Sequence, residues 1–232
     1  NHKLAAKSAN TNIADNLPLQ VSLTTTFNIK ANVVEYGGDH IVNRNISDGI
    51  KEKYKFLSHP YDLSISRSQQ DNNLHILLNA YAKIPHRNLV LISNWQVSDY
   101  GKKLKRNFQN KYPNVFVINA IYNKEELDVI RTNTSLYVHS HSQCGTAPSL
   151  VEAMNYNIPV ICFDVATNRE TTKNKTHYFK DESSLIKLVC SLTVKSLEEI
   201  KQRMLDIAKE NYSWEIISNK YKEVIDLPLK NR

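Results

Sequence analysis

Between Ser135 and Asp164 the chain reads SLYVHSHSQCGTAPSLVEAMNYNIPVICFD. Ser135 to His139 has the make-up of a short buried strand. A loop follows, with one glycine at position 145, and then Pro148, which suits the first turn of a helix because its missing N–H is not needed there. Ser149 to Asn155 are helix formers, and Pro159 to Phe163 is a second apolar, β-branched run. Strand, loop, helix and strand within about thirty residues make one parallel βαβ unit.

Units of this kind gather ligands at the carboxyl ends of their strands. The loop is expected to present the N–H groups of Ser149 and Leu150 at a helix N-terminus, which is an anion site. Thr146 and Ser149 add hydroxyls. Glu152, four residues after Pro148, falls on the same helix face one turn deeper. Phosphate at the helix tip and ribose hydroxyls on a carboxylate would describe a nucleotide. The alternative is that the loop binds nothing and Glu152 is a solvated charge, as in most βα loops.

Composition narrows the field. A chain of 232 residues with 41% hydrophobic residues holds a folded core, and five glycines are too few for Gly-rich disorder. No apolar run reaches the eighteen or so residues of a membrane span. The chain opens on Asn1 rather than methionine, which suggests a piece of a longer protein. Cys144, Cys162 and Cys190 form an odd set without metal spacing, which points to a reducing, cytoplasmic setting. Four Asn-x-Ser/Thr triplets (Asn45, Asn133, Asn174, Asn211) then carry little meaning. The net charge of +7 is densest at Lys102, Lys103, Lys105 and Arg106. This run reads as a solvated helix face, and no nucleic-acid-binding pattern accompanies it.

Along the chain, strands are predicted at Asn12–Asp15 and Asn32–Tyr36, and Gly37-Gly38 then breaks the pattern. The stretch from Asn43 to His59 is polar and reads as an irregular linker. Regular alternation begins at Tyr61–Ser66, a strand. Leu74, Leu77, Leu78 and Tyr81 recur at i, i+3, i+4 and i+7 on a helix. Strands follow at Leu89–Ser93 and Val115–Asn119, with helices over 98–112 and Lys124–Thr132. After Asp164 only helices are read: Leu185–Leu192, Leu197–Glu210 and Trp214–Ile225, the last with a stripe of Trp214, Ile217, Tyr221 and Val224. Five strands alternating with helices predict an α/β fold, a doubly wound parallel sheet.

The motif GTAPSLVEAM, followed by NIPVICFD and Glu170, resembles the donor-binding signature of retaining GT-B glycosyltransferases of family 4. In that signature two glutamates are separated by seven intervening residues. Glu152 takes the place of the second, while the first would fall at Cys144, a departure from the common form. HSHSQCGTAPSLVEAM is similar to the HGHS-x-GGTNPSLVEAM form of bacterial rhamnosyltransferases of cell-surface polysaccharide synthesis. The resemblance implies the C-terminal, Rossmann-like donor domain of a GT-B enzyme. It implies that residues 1–42 close an N-terminal acceptor domain, through Tyr36-Gly37-Gly38-Asp39. Residues 43–59 would be the linker, 60–212 the nucleotide-sugar-binding domain, and 213–232 a C-terminal helix and tail.

The resemblance also assigns roles. Arg67 ends the first strand of the alternating region in SISRSQQDNN, where a guanidinium can fork onto a diphosphate. The family's glycine and lysine in this element are replaced here by Ser66 and Asn72, with QDNN similar to the rhamnosyltransferase subgroup. Arg67 and Glu152 are therefore the catalytic candidates. Asn72, Asn73, Ile121, Tyr122, His141, Cys144, Gly145, Thr146, Ser149 and Leu150 are the donor-binding candidates. Two residues keep a second reading, Arg67 as a surface arginine beside a capping Asp71 and Tyr122 as a core aromatic, while Cys144 is read as a small residue shaping the sugar pocket rather than as a reactive thiol.

His139 and His141 can ligate a metal, but no third ligand is spaced near them in sequence, so no metal is expected. His139 is read instead as packed and hydrogen-bonded. The implied partners are a dTDP- or UDP-sugar donor and a saccharide or lipid-linked saccharide acceptor, with a peripheral membrane contact allowed and no resident cofactor. A nucleotide-sugar epimerase of GT-B fold and a flavodoxin-like binding module are the rival readings. The first lacks its signature spacing, and SRSQQDNN supplies no flavin loop for the second.

Overall fold

Apolar runs that alternate with amphipathic segments build a parallel sheet with helices on both faces. The computed structural model describes residues 2–226; the tail beyond them lies outside the described residues. The N-terminal part comprises α1 (His2–Ser8), β1 (Ile13–Ala14), α2 (Leu17–Phe27) and β2 (Asn32–Val33). After α3 (Asp48–Lys53) come β3 (Asp62–Ile65), α4 (Leu74–Ala82), β4 (Leu89–Ser93), α5 (Asp99–Phe108), β5 (Val115–Asn119) and α6 (Lys124–Thr132). The chain continues through β6 (Leu136–His139), α7 (Pro148–Asn155), β7 (Val160–Phe163), α8 (Ala166–Thr171), β8 (His177–Phe179), α9 (Glu182–Ser191), α10 (Val194–Asn211) and α11 (Trp214–Ile225).

The main sheet has six strands in the order β5-β4-β3-β6-β7-β8, all parallel, and β1 and β2 form a separate parallel pair. The chain starts in the middle at β3, winds outward to β5, then returns to β6 and winds the other way. The switch point therefore lies between β3 and β6. Alternate residues of each strand feed two cores. Leu89, Leu91, Leu136 and Val138 pack with α4 and α9, while Leu63, Val90, Ile92 and Tyr137 pack with α7 and α10. The four apolar positions predicted on α4 are all fully buried.

At the amino ends of the strands, Arg87 forks onto Asp62 at 2.9 and 2.7 Å and Tyr81 donates to the same carboxylate at 2.6 Å. This buried latch ties β3 to the loop before β4, opposite the edge where ligands gather.

Two readings of the sequence are corrected, and one helix had no reading. A sixth strand, β8, follows Asp164; only Phe179 of its three residues is buried, so its apolar signal is too short to register. The segment from Leu17 to Phe27 is a helix with no buried residue, so no stripe marks it. The stretch read as an irregular linker contains α3 and a 3-10 turn at Lys55–Ser58 whose Phe56 and Leu57 enter the core. The stripe on α11 is partly realised: Ile217 and Val224 are buried with Val34, while Trp214 and Tyr221 are 38% and 40% exposed.

Candidate functional site

A cleft of about 650 Å³ opens at the carboxyl ends of β3, β4 and β6, on the switch point. The loop after β3 brings Arg67, the loop after β5 brings Ile121 and Tyr122, and the turn into α7 brings His141, Cys144, Gly145 and Ser149. Glu152 and Arg131 stand behind them, and Asp15 reaches the rim from the N-terminal segment.

Arg67 is exposed and forms no ion pair among the described residues. Its backbone is held: Asn72, 2% exposed, donates its side-chain amide to the Arg67 carbonyl at 2.8 Å. Asn72 therefore lines the cleft but serves first as a clasp on the arginine's loop. Asn73 sits in the left-handed region (φ 53) and donates to Ser140 O at 3.0 Å, joining the β3 and β6 loops from outside the cleft. The loop is secured further by Asn94, which accepts from Ser68 N at 2.8 Å. Tyr122 is 89% exposed, which removes the core-aromatic reading.

The helix end is narrower than the sequence suggests. Among the described residues Ser149 N–H has no backbone acceptor, but Leu150 N–H bonds to Ala147 O at 3.0 Å and the Leu150 side chain lies in the core. Leu150 is thus a packing residue. Thr146 spends its hydroxyl on the carbonyl of Asp15. Gly145 is needed for close approach: a β-carbon there would strike the Asp15 carboxylate. Gly38 is held to a glycine in the same way, since a β-carbon would sit 2.7 Å from Val151 O on α7.

Glu152 is not a solvated charge. It is 8% exposed, with Arg131 Nη2 at 2.6 Å from one carboxylate oxygen and His40 Nε2 at 3.1 Å from the other. The Trp214 indole donates to His40 Nδ1 at 3.0 Å, so His40 carries its proton on Nε2 and donates it to Glu152. Sequence reasoning missed Arg131, His40 and Asp15. Arg131 shares a helix face with Leu127, four residues earlier, and His40 directly follows the Tyr36–Asp39 element; only those local signals pointed to them. Burial raises the Asp15 carboxyl above the usual range.

The histidines are more buried than expected. His139 is 1% exposed, and among the described residues neither of its ring nitrogens has a hydrogen-bond partner, which corrects the reading of it as hydrogen-bonded. Burial, with His141 nearby, pushes it well below the ordinary histidine range. His141 is lowered to about 4 by burial, with Asp71 opposing and Arg67 assisting. Cys144 approaches both histidines, a closeness that the sequence spacing did not show. Burial raises its thiol to about 11, which fits a thiol at rest rather than a nucleophile.

The fold and the cleft together define a doubly wound, Rossmann-like domain with its opening at the switch point, as in the C-terminal half of GT-B glycosyltransferases. The chain belongs to the family of glycosyl transferases group 1, whose pattern matches residues 48–212. Its structure is similar to sucrose-phosphate synthase from Thermosynechococcus elongatus (TM-score 0.79, 16% identity, 97% of this chain and 59% of that one). It is similar also to a glycosyltransferase from Rickettsia africae ESF-5 (0.78, 16%, 99% and 67%) and to Anabaena HepE in complex with UDP-glucose (0.76, 16%, 97% and 66%). The chain thus spans 59–67% of the length of these structures. At such identity the likeness concerns the fold. No curated protein matches the chain by sequence. Among the described residues no helix is long and apolar enough to cross a membrane.

Proposed function

We propose that the cleft binds a nucleoside diphosphate sugar and supplies the donor half of a retaining glycosyl transfer of the family 4 type. The observation that carries this reading is an arginine without an ion-pair partner among the described residues. Arg67 lies in the loop after β3, lines the same cleft as the Ser149 N–H at the start of α7, and has its backbone already clasped by Asn72. A diphosphate lying across the switch point would meet both, and Tyr122 would offer its face to the base. The Arg131–Glu152 pair at the back of the cleft leaves the carboxylate in place to accept from sugar or ribose hydroxyls.

Retaining transfer asks of this chain mainly electrostatics. As the glycosidic bond to the β-phosphate lengthens, negative charge grows on the leaving diphosphate. Arg67 and the helix end would stabilise it, and loss of either is expected to raise the barrier by about 2–4 kcal/mol. The departing phosphate oxygen can take the acceptor's proton, so no side-chain base is required of the donor half. The resemblance of HSHSQCGTAPSLVEAM to rhamnosyltransferases favours dTDP-L-rhamnose as donor and a saccharide or lipid-linked saccharide of a bacterial surface polysaccharide as acceptor. On this reading the reaction is cytoplasmic, and the acceptor groups belong to a domain beyond these residues, so the chain alone binds donor without transferring it.

Isothermal titration with UDP, dTDP, UMP and dTMP tests the assignment. Diphosphates are expected to bind at least tenfold more tightly than the matching monophosphates. Equal affinities would remove the phosphate role of Arg67 and Ser149. A thermal-shift comparison of dTDP-rhamnose with UDP-glucose then reports the sugar, since stabilisation follows RT ln(1 + [L]/Kd).

A further inference from the structure

Three side chains at the end of β6 and in the loop beyond it hold ligand atoms that the diphosphate contacts leave unused. One ring nitrogen each of His139 and His141 and the sulfur of Cys144 lie within 4.8 Å of one another. The two rings stand 4.2 Å apart between centroids, tilted by 44°. Both nitrogens of His139 and Nε2 of His141 are buried without a hydrogen-bond partner among the described residues. A neutral imidazole has one N–H to donate and one lone pair to offer, and the interior normally satisfies both. Here one ring meets neither need. Its close neighbours are a second imidazole and a thiol.

We propose that His139, His141 and Cys144 form a binding site for a borderline-soft divalent cation, zinc. Two imidazoles and a thiolate are a donor set that zinc takes, and hard cations such as magnesium do not. Tetrahedral zinc with bonds of about 2.0–2.1 Å to nitrogen and 2.3 Å to sulfur sets its ligand atoms about 3.3–3.6 Å apart. Closing the present separations takes a movement on the order of 1 Å. The loop residues His141 and Cys144 would supply it, while His139 stays fixed on β6 by its register with Cys162.

Binding replaces the S–H bond of Cys144 with a metal–sulfur bond and releases the proton to solvent. It also breaks the present contact of Cys144 Sγ with Asn168 Oδ1 at 3.5 Å. The carboxylates of Asp15 and Asp71 act on this cluster, and Arg67 opposes them. Because His141 and Cys144 line the donor cleft, the fourth position would open toward it, free for water or an anion. The site does not rest on the phosphate assignment, which uses Arg67 and the Ser149 N–H, although His141 and Cys144 are also candidates for contact with the donor sugar.

The test is titration of the chain with Co²⁺, in a phosphine reductant and without nucleotide, followed by displacement with Zn²⁺. The expected result is one equivalent bound, with a thiolate-to-cobalt charge-transfer band and d–d bands of tetrahedral intensity that Zn²⁺ abolishes. Cys144→Ser and His141→Ala, both altering loop residues, should each weaken binding at least tenfold, and Cys144→Ser should also lose the charge-transfer band. Cys190→Ser, at the exposed cysteine, should change neither. No saturable binding, or a charge-transfer band that survives in Cys144→Ser, would overturn the proposal.

Discussion

Replacing either partner of the Arg131–Glu152 pair tests whether the back of the cleft is held by charge. At 2.6 Å and an effective dielectric constant near 20, the gross attraction is about 6 kcal/mol. Desolvation of two ions, whose side chains are only 16% and 10% exposed, returns several kcal/mol of that. The net coupling should then fall at about 1–3 kcal/mol, the range of contacting pairs within one network. Removing one partner costs more than the coupling, because the other charge is left in a half-dry site. Glu152→Gln and Arg131→Met are each expected to lose about 2–3 kcal/mol, and the double variant little more than one single. With a urea slope of about 3 kcal/mol/M, each single would move the unfolding midpoint down by roughly 0.7–1 M. Urea denaturation of the four proteins, followed by fluorescence of Trp95 and Trp214, closes the cycle. Additive losses, with a coupling below about 0.5 kcal/mol, would refute the reasoning: the two side chains would then be neighbours without interaction.

Other outcomes follow from the same geometry. Gly145→Ala should destabilise by about 1–3 kcal/mol through overpacking against Asp15, and Asp15→Gly in the same chain should recover most of it; failure of that rescue in thermal denaturation would count against the contact. Arg67→Ala should lower affinity for UDP tenfold to a hundredfold, as loss of a charged hydrogen bond does, while UMP binding changes little; calorimetry distinguishes the two. The pH dependence has a defined sign. His141 is held at about 4 when folded against about 6.5 when unfolded, so the unfolded chain binds more protons between these values. Its contribution of about 3 kcal/mol is complete above pH 6.5 and is lost as the pH falls toward 4. In urea melts across that window, His141→Gln should flatten the slope, and an unchanged slope would contradict the burial argument.

How much of this was legible in the chain depended on where a residue's constraint came from. Leu74, Leu77, Leu78 and Tyr81 were readable because their spacing is set by the helix itself, and all four are buried. Pro148 was readable because ring closure permits few backbone positions, and it opens α7. Arg67 was readable from its place after a strand. The cleft's back wall was not. Arg131, His40 and Asp15 come from three distant segments, and none carries a local pattern, because an ion pair has no sequence period. Leu150 and Thr146 show the converse: their place at a helix N-terminus assigned them to the donor, but core packing and the Asp15 carbonyl claim them. Cys144 reaches the histidines because the loop turns back, a property of backbone dihedrals rather than of spacing.

The strand order carries a consequence for how the chain assembles during synthesis. β3 is the first strand of the main sheet to be made, yet it lies at the centre, paired on one side with β4 and on the other with β6. Asp62 finds its neighbour Leu136 about seventy residues later. At a synthesis rate of roughly 5–20 residues per second, that edge of β3 waits about 4–15 s for its partner. During that interval the apolar face around Leu63 and the unpaired backbone of β3 stand open, as a sheet edge does when nothing covers it. The β5-β4-β3 half is therefore a nascent sheet with an adhesive rim, and the βαβ unit quoted at the outset is the piece that seals it. Ribosome-bound chains truncated just before Leu136 should accordingly be bound by chaperones and cut by proteases more readily than chains extended past Phe163.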